Sequence, residues 1–235
     1  MTTTEASVGK IWYLKKINLF KSMSQEEMMQ LAQKVVEKSF RKKETIYLPG
    51  QPGNHVYLLK KGVVKISKIT NDGRELTLAL LKPGEIFGEL EAMGEGNRDG
   101  QAEAHSDVLI CALNKNDLMN MLKMKPDLGI RLSKLIGFRR HTIENRLENL
   151  VFRAIPEKLA ALLLELSEQF GEESLEGIKI NLSLTHQDLA NLIGATRPTV
   201  SETLIDFKNK GLIDVKGKSI LIPNPARLKA IFSKE

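Results

Sequence analysis

Cysteine is all but missing from this 235-residue chain: Cys111 stands alone, which excludes an internal disulfide and any all-cysteine cluster within one copy. In its apolar setting, "DVLICALNK", the thiol reads as a small buried hydrophobe. Long greasy runs are missing too. The longest, "LAALLLEL", is too short and too interrupted to cross a bilayer. The opening "MTTTEASVGK" lacks a basic region followed by an apolar core, so it does not read as a secretion signal; a cytoplasmic protein with no membrane attachment is expected. Paired catalytic carboxylates, a nucleophile–base set and a P-loop pattern are all wanting, so no enzyme is expected and no catalytic residue is assigned. The four histidines, His55, His105, His141 and His186, show no ligand spacing, which argues against metal or haem.

What is present begins with charge. The net formal charge of +6 points to an anionic partner, but the excess lies in residues 1–150, with 24 basic against 18 acidic side chains. Residues 151–235 balance at 11 against 11, although the tail from Lys208 carries seven basic and two acidic residues. Charge alone does not decide for nucleic acid.

Three textures follow one another. After the amphipathic segment "SQEEMMQLAQKVVEKSF", glycines punctuate the chain about every ten residues, separated by runs with apolar alternation: "HVYLLKK", "VVKISKI", "ELTLALL" and "DVLICAL". Asn71-Asp72-Gly73 between two of them is a hairpin signal. Evenly spaced short strands imply an antiparallel sandwich or roll. From Lys125 to about Leu150 the pattern turns helical, with Leu128, Leu132, Leu135, Ile136, Ile143, Leu147 and Leu150 in register. Such a helix, of about 25 residues, runs near 37 Å. It exceeds what a small domain needs, so its seam is expected to pack both on its own domain and on a second copy of the chain. The remainder reads as an amphipathic helix stopped by Gly171, a polar loop "GEESLEG" leading into a short strand, further helices, and a hairpin around Lys216-Gly217-Lys218.

"LTHQDLANLIGATRPTVSETLIDFKNKGL" is the most informative stretch. Thr185 and Asp188 form a capping-box pattern that starts a helix with Leu189, Ala190 and Ile193 inward. Gly194 allows the tight turn, Thr196 caps a second helix, and Pro198 is tolerated in its first turn. Val200, Leu204 and Phe207 form the buried stripe of that helix. Two short helices around a glycine turn make a helix-turn-helix, whose second helix enters the major groove.

With "GEIFGEL" in the punctuated region, the long helix, "LVFRAIPEKLAALLLEL" and "ATRPTVSETLIDFKNKGLI", nearly the whole chain resembles the CRP/FNR family of bacterial transcription regulators. The resemblance implies an α+β chain: an N-terminal antiparallel β-roll of jelly-roll type over residues 1–124, a long central dimerisation helix over 125–151, and a C-terminal winged helix-turn-helix over 152–235. It also implies a homodimer on a roughly palindromic duplex DNA operator, with RNA polymerase as a further partner if the protein activates.

In cAMP-binding members, a glycine and glutamate take the ribose, an arginine followed by serine or threonine holds the cyclic phosphate, and a hydroxyl pair on the long helix contacts adenine. By that resemblance the candidate effector residues are Gly88, Glu89, Leu90, Arg98, Asp99, Ile143 and Glu144. Asp99 replaces the expected hydroxyl, and Ile143 and Glu144 replace the adenine-contacting pair. Two like charges about 4 Å apart at an effective dielectric of 20 repel by about 4 kcal/mol, so Asp99 near a phosphate would cancel much of what Arg98 offers. The other reading of the loop is an Arg98–Asp99 pair that closes it, with Glu89 in the same network. Gating by a small-molecule effector in the roll is therefore expected, with classical cAMP control disfavoured and a cAMP-like cyclic nucleotide a possible ligand; a constitutive DNA binder with a purely scaffolding roll is the alternative.

For DNA, Thr196, Arg197, Pro198, Thr199, Ser201, Glu202, Lys216 and Lys218 are the candidates. Arg197 aligns with an arginine that reads guanine in the family. Glu202 accepts from cytosine N4 or caps a salt bridge, while Thr199, Lys216 and Lys218 contact phosphate. His186 is expected at a phosphate or a helix cap. Trp12 and Tyr13 are expected to pack on the roll, an effector lid being the alternative.

Overall fold

The computed structural model describes residues 13–15, 17–94, 96–217 and 219–232. Trp12 and Lys218 lie outside the described residues, as does the side chain of Lys216. The chain divides into two compact units, Met1–Arg140 and His141–Glu235.

The first unit opens with a buried segment, in which Tyr13, Leu14, Ile17, Leu19 and Phe20 enter the core. Helix α1 (Gln25–Lys34) starts at Ser24, whose hydroxyl and Glu27 complete a reciprocal capping box. The stretch read as one amphipathic segment is in fact split. Val35 is extended, with φ −86° and ψ 137°, and Val36–Phe40 continues as strand β1. The β-branched pair Val35-Val36 favours strand over a further helical turn.

The roll consists of β1 with β2 (Thr45–Tyr47), β3 (His55–Lys61), β4 (Val64–Ile69), β5 (Glu75–Leu81), β6 (Ile86–Phe87), β7 (Gln101–Ala104) and β8 (Val108–Asn114). They form two antiparallel four-stranded sheets, in the orders β1-β8-β3-β6 and β2-β7-β4-β5. One core, built from Tyr47, Tyr57, Leu59, Val64, Phe87, Ala102, Ala104 and Ile110, fills the roll. A second gathers Val56, Leu58, Cys111 and Leu113 against α1 and the helices that follow β8. Cys111 is buried in it.

Helix α2 (Glu89–Met93) interrupts the glycine loop, and α3 (Lys115–Met124) leads into α4 (Pro126–Phe152). The seam of α4 changes character along its length. Leu128 and Leu132 are buried and Leu135 and Ile136 pack on the core of the first unit, whereas Phe138, Ile143, Leu147 and Val151 are exposed.

In the second unit α5 (Ile155–Phe170) buries Leu159, Leu162, Leu163 and Leu166. The acidic stretch after Gly171 is not a loop throughout: Gly171–Ser174 is strand β9, paired antiparallel with β10 (Gly177–Ile180). Its exposed, polar side chains carry no alternation, and it earns its place through backbone pairing alone. Helices α6 (His186–Ile193) and α7 (Arg197–Asn209) follow, then the wing, β11 (Asp214–Lys216) and β12 (Ser219–Ile222), and α8 (Pro225–Lys229). The four strands of this unit run in the order β11-β12-β10-β9. Among the described residues no helix is long and apolar enough to cross a membrane.

Candidate functional site

The glycine loop is organised around a buried arginine. Gly88 has φ 73°, and a Cβ there would stand 2.6 Å from Arg98 Nη1, so both backbone angle and space demand glycine. Arg98 Nη1 donates to the Gly88 carbonyl at 2.9 Å and to Glu91 Oε2 at 3.0 Å, and Nη2 donates to the His55 carbonyl. The guanidinium lies over the Tyr47 ring, 4.4 Å from its centroid, and 5.5 Å from that of Tyr57. Its side chain is 1% exposed. A buried cation is tolerated only with such compensation. The loop backbone is fixed as well: Arg98 N donates to Gln51 O at 2.7 Å, and Gly50 N donates to Arg98 O at 2.8 Å.

Burial pushes the Tyr47 phenol well above its ordinary range, with the Glu91 carboxylate adding to the effect. His55 is held below the ordinary imidazole value of 6.5, first by burial and then by the Lys38 and Arg98 cations.

Arg98 and Asp99 do not pair with each other. Asp99 is exposed and forms an ion pair with Lys68, while Arg98 takes Glu91. The two neighbouring side chains lie on opposite sides of the loop, Arg98 buried and Asp99 in solvent. Glu89 does not belong to the Arg98 network either. It is buried and accepts from Arg139 Nη1 of α4 at 2.7 Å, and Arg139 Nη2 donates to the Ile86 carbonyl. Leu90 is exposed at the foot of α2. Ile143 and Glu144 are exposed on α4, in the second unit.

Close by, the Tyr13 hydroxyl accepts from Gly84 N at 3.1 Å, and burial raises the phenol to about 12. Tyr13 thus packs into the roll.

The candidate nucleic-acid interface is built from caps. Thr185 accepts from the Asp188 backbone at 3.1 Å, and Asp188 returns a bond to Thr185 N at 2.8 Å. Gly194 ends α6 in the left-handed region at φ 61°. Thr196 then caps α7, its Oγ1 lying 3.4 Å from Thr199 N and 2.8 Å from Thr199 Oγ1. Val200, Thr203, Leu204 and Phe207 face inward. Arg197, Pro198 and Glu202 are exposed, and Glu202 has no ion-pair partner among the described residues. His186 neither caps α6 nor stands apart: its Nδ1 is 2.6 Å from Ser201 Oγ, which also donates to Arg197 O at 2.9 Å. The first helix therefore holds a side chain on the second.

Sequence reasoning missed Glu91, Tyr47, Tyr57 and His55 around Arg98, and Arg139 on Glu89. Tyr47 comes from β2, His55 and Tyr57 from β3, Glu91 from α2 within the loop itself, and Arg139 from the distant α4, so no single sequence pattern joins them. It also passed over Ile205, an exposed residue of α7 that helical counting from Ser201 would have found.

The chain matches the sequence model of the cyclic nucleotide-binding domain over residues 37–125 and that of the Crp-like helix-turn-helix domain over residues 157–231. It is 34% identical over 200 residues to the global nitrogen regulator of a Synechocystis strain, covering 84% of this chain and 89% of that protein. To the CRP-like cAMP-activated global transcriptional regulator of Mycobacterium tuberculosis it is 29% identical, over 92% of this chain and 96% of the relative. Among solved structures, a CooA mutant from Carboxydothermus hydrogenoformans superposes with a TM-score of 0.78 at 27% identity, covering 92% and 96% of the two chains. With a matched roll, a matched helix-turn-helix and relatives that span almost its whole length, the chain belongs to the CRP/FNR family of transcription regulators.

Proposed function

We propose that the protein is a homodimeric, sequence-specific DNA-binding regulator of the cytoplasm, gated through its roll by an effector other than a cyclic phosphate held on Arg98. The observation that carries this reading is the state of Arg98: both terminal nitrogens are occupied by protein acceptors, one of them a carboxylate. These bonds use three of its five N–H donors, and a phosphate taking Nη1 would have to displace Glu91. The roll covers residues 1–124, the long helical segment 125–151 forms the dimer seam, and residues 152–235 engage DNA.

Dimerisation is supported by the apolar residues that α4 leaves exposed, Phe138, Ile143, Leu147 and Val151. An isologous pairing along this helix presents two recognition helices to successive major grooves about 34 Å apart, hence a near-palindromic operator. Arg197 reads guanine in this scheme. Thr196, Pro198, Thr199, Ser201 and Glu202 flank it, and Lys216 and Lys218 meet phosphate. RNA polymerase is a partner if the protein activates.

A second reading has its own support. Glu89 is also satisfied internally, by Arg139, so the two charged groups of the candidate effector loop, Glu89 and Arg98, both have protein partners as they stand. A constitutive binder with a scaffolding roll follows from that. The likeness to a cAMP-activated relative favours cyclic-nucleotide control instead.

Calorimetric titration of cAMP, cGMP and cyclic di-GMP into the purified protein separates these readings, with DNA affinity measured in parallel. Saturable micromolar cAMP binding that raises DNA affinity overturns the proposal. Silence to all three, with DNA binding that responds to a cell extract depleted of macromolecules, supports it. Silence with unresponsive, tight DNA binding supports the constitutive reading.

A further inference from the structure

The outward stripe of α7 carries an apolar side chain at its centre. Pro198, Glu202, Ile205 and Asn209 fall at i, i+4, i+7 and i+11, opposite the buried Val200, Thr203, Leu204 and Phe207. Ile205 is 61% exposed. A single exposed isoleucine on a protein surface needs no explanation by itself. This one lies on the recognition helix, between two residues able to bond base edges: about 4.5 Å along the axis from Glu202 and about 6 Å from Asn209. In solution it offers nothing to this helix, where a β-branched residue is a weaker former than lysine or alanine.

The major groove presents one apolar group on a base edge, the thymine 5-methyl. We infer that Ile205 is a specificity-determining residue that packs on a thymine methyl in each half-site, one base step or so from the pair that Glu202 faces. The inference rests on the DNA-binding reading above and adds to it a base preference that no hydrogen-bonding side chain supplies. It also explains how a helix with only one arginine on its exposed N-terminal turn discriminates: one base pair is read by a fork of donors, and another by shape and apolar contact.

The test uses the full-length protein and a duplex selected by it from a random-sequence pool. Each thymine of the selected half-site is replaced in turn by deoxyuridine, which removes the methyl and nothing else. At one position wild-type affinity should fall by about fourfold, the value of one buried methyl-sized group. The Ile205→Ala variant should bind the thymine and uracil duplexes equally at that position, and Ile205→Val should keep part of the preference. Because the side chain is exposed, thermal unfolding of both variants should match wild type, which separates lost contact from lost fold.

Wild-type indifference to every uracil overturns the inference, and so does an Ile205→Ala variant that keeps the wild-type sensitivity. Failure to enrich any duplex is a different result: it sinks the DNA-binding reading, and this inference with it.

Discussion

Glu91 stands on Arg98 as a ligand would, its carboxylate oxygen 3.0 Å from Nη1 in a place the guanidinium never exposes to water. Removing it strands a buried cation. Glu91→Ala should lower the stability of the first unit by about 3 kcal/mol, within the range seen when one partner of a buried pair is deleted. Phosphate or cAMP should then raise the melting temperature of the variant and leave wild type unmoved. Calorimetric melts with and without 10 mM anion, at about that level to favour weak binding, check both halves. A variant as stable as wild type would show that the tyrosine rings and carbonyls compensate the charge by themselves.

His55 makes the roll sensitive to acid. Burial and two neighbouring cations hold its imidazole below 6.5, so the folded chain keeps it neutral at a pH where the unfolded chain takes up a proton. The stability it contributes is complete above the unfolded value and is lost as pH falls through the lower, folded one. Wild type should therefore lose more thermal stability than His55→Gln on going from about pH 7.5 to about pH 5. Parallel curves for the two proteins would contradict this.

The helix-turn-helix depends on its caps. Thr185→Ala and Thr196→Ala should each cost about 0.5–2 kcal/mol in the second unit. Gly194→Ala should cost about 1 kcal/mol, and the cause is backbone angle. An added Cβ meets Leu150 Cδ2 at 3.5 Å, an ordinary contact, while φ stays at 61°. Gly194→Asn should recover part of the loss, because asparagine tolerates the left-handed region. Denaturant melts followed by circular dichroism measure all four variants.

Arg197 is exposed at the first turn of α7 and free to reach a base. Arg197→Ala should cost about 1–3 kcal/mol of specific affinity and relax one base position per half-site. Competition binding against single-base operator variants reads this directly. Undiminished discrimination at every position would remove Arg197 from base readout.

Local chemistry made much of this legible in advance. β3 and β5 coincide with "HVYLLKK" and "ELTLALL", because alternation and Asn71-Asp72-Gly73 act within a few residues. The recognition helix was readable from Thr196 and from the spacing of Val200, Leu204 and Phe207 for the same reason. β9 was not, since an edge strand of glutamates is defined by the partner it pairs with. The setting of Arg98 was hidden more deeply. Its acceptors stand at positions 88 and 91, in the loop itself, and at 55, with its aromatic floor at 47 and 57; only the folding of β2 and β3 against the loop brings these last three to it. Charge proximity along the chain pointed to Asp99, but that side chain faces solvent and pairs with Lys68 while Arg98 turns inward to Glu91.

The Glu89–Arg139 pair has a consequence for any ligand hydroxyl that seeks Glu89. Arg139 is a tethered competitor, present at an effective concentration that no dilution lowers. A molecule that takes the carboxylate oxygen held by Arg139 must displace it, so a measured dissociation constant would understate the intrinsic strength of that contact by the fraction of time the oxygen is free. The arginine that is displaced belongs to α4, the long helix. Occupancy of the roll and release of that helix from its anchor are then two descriptions of a single exchange equilibrium.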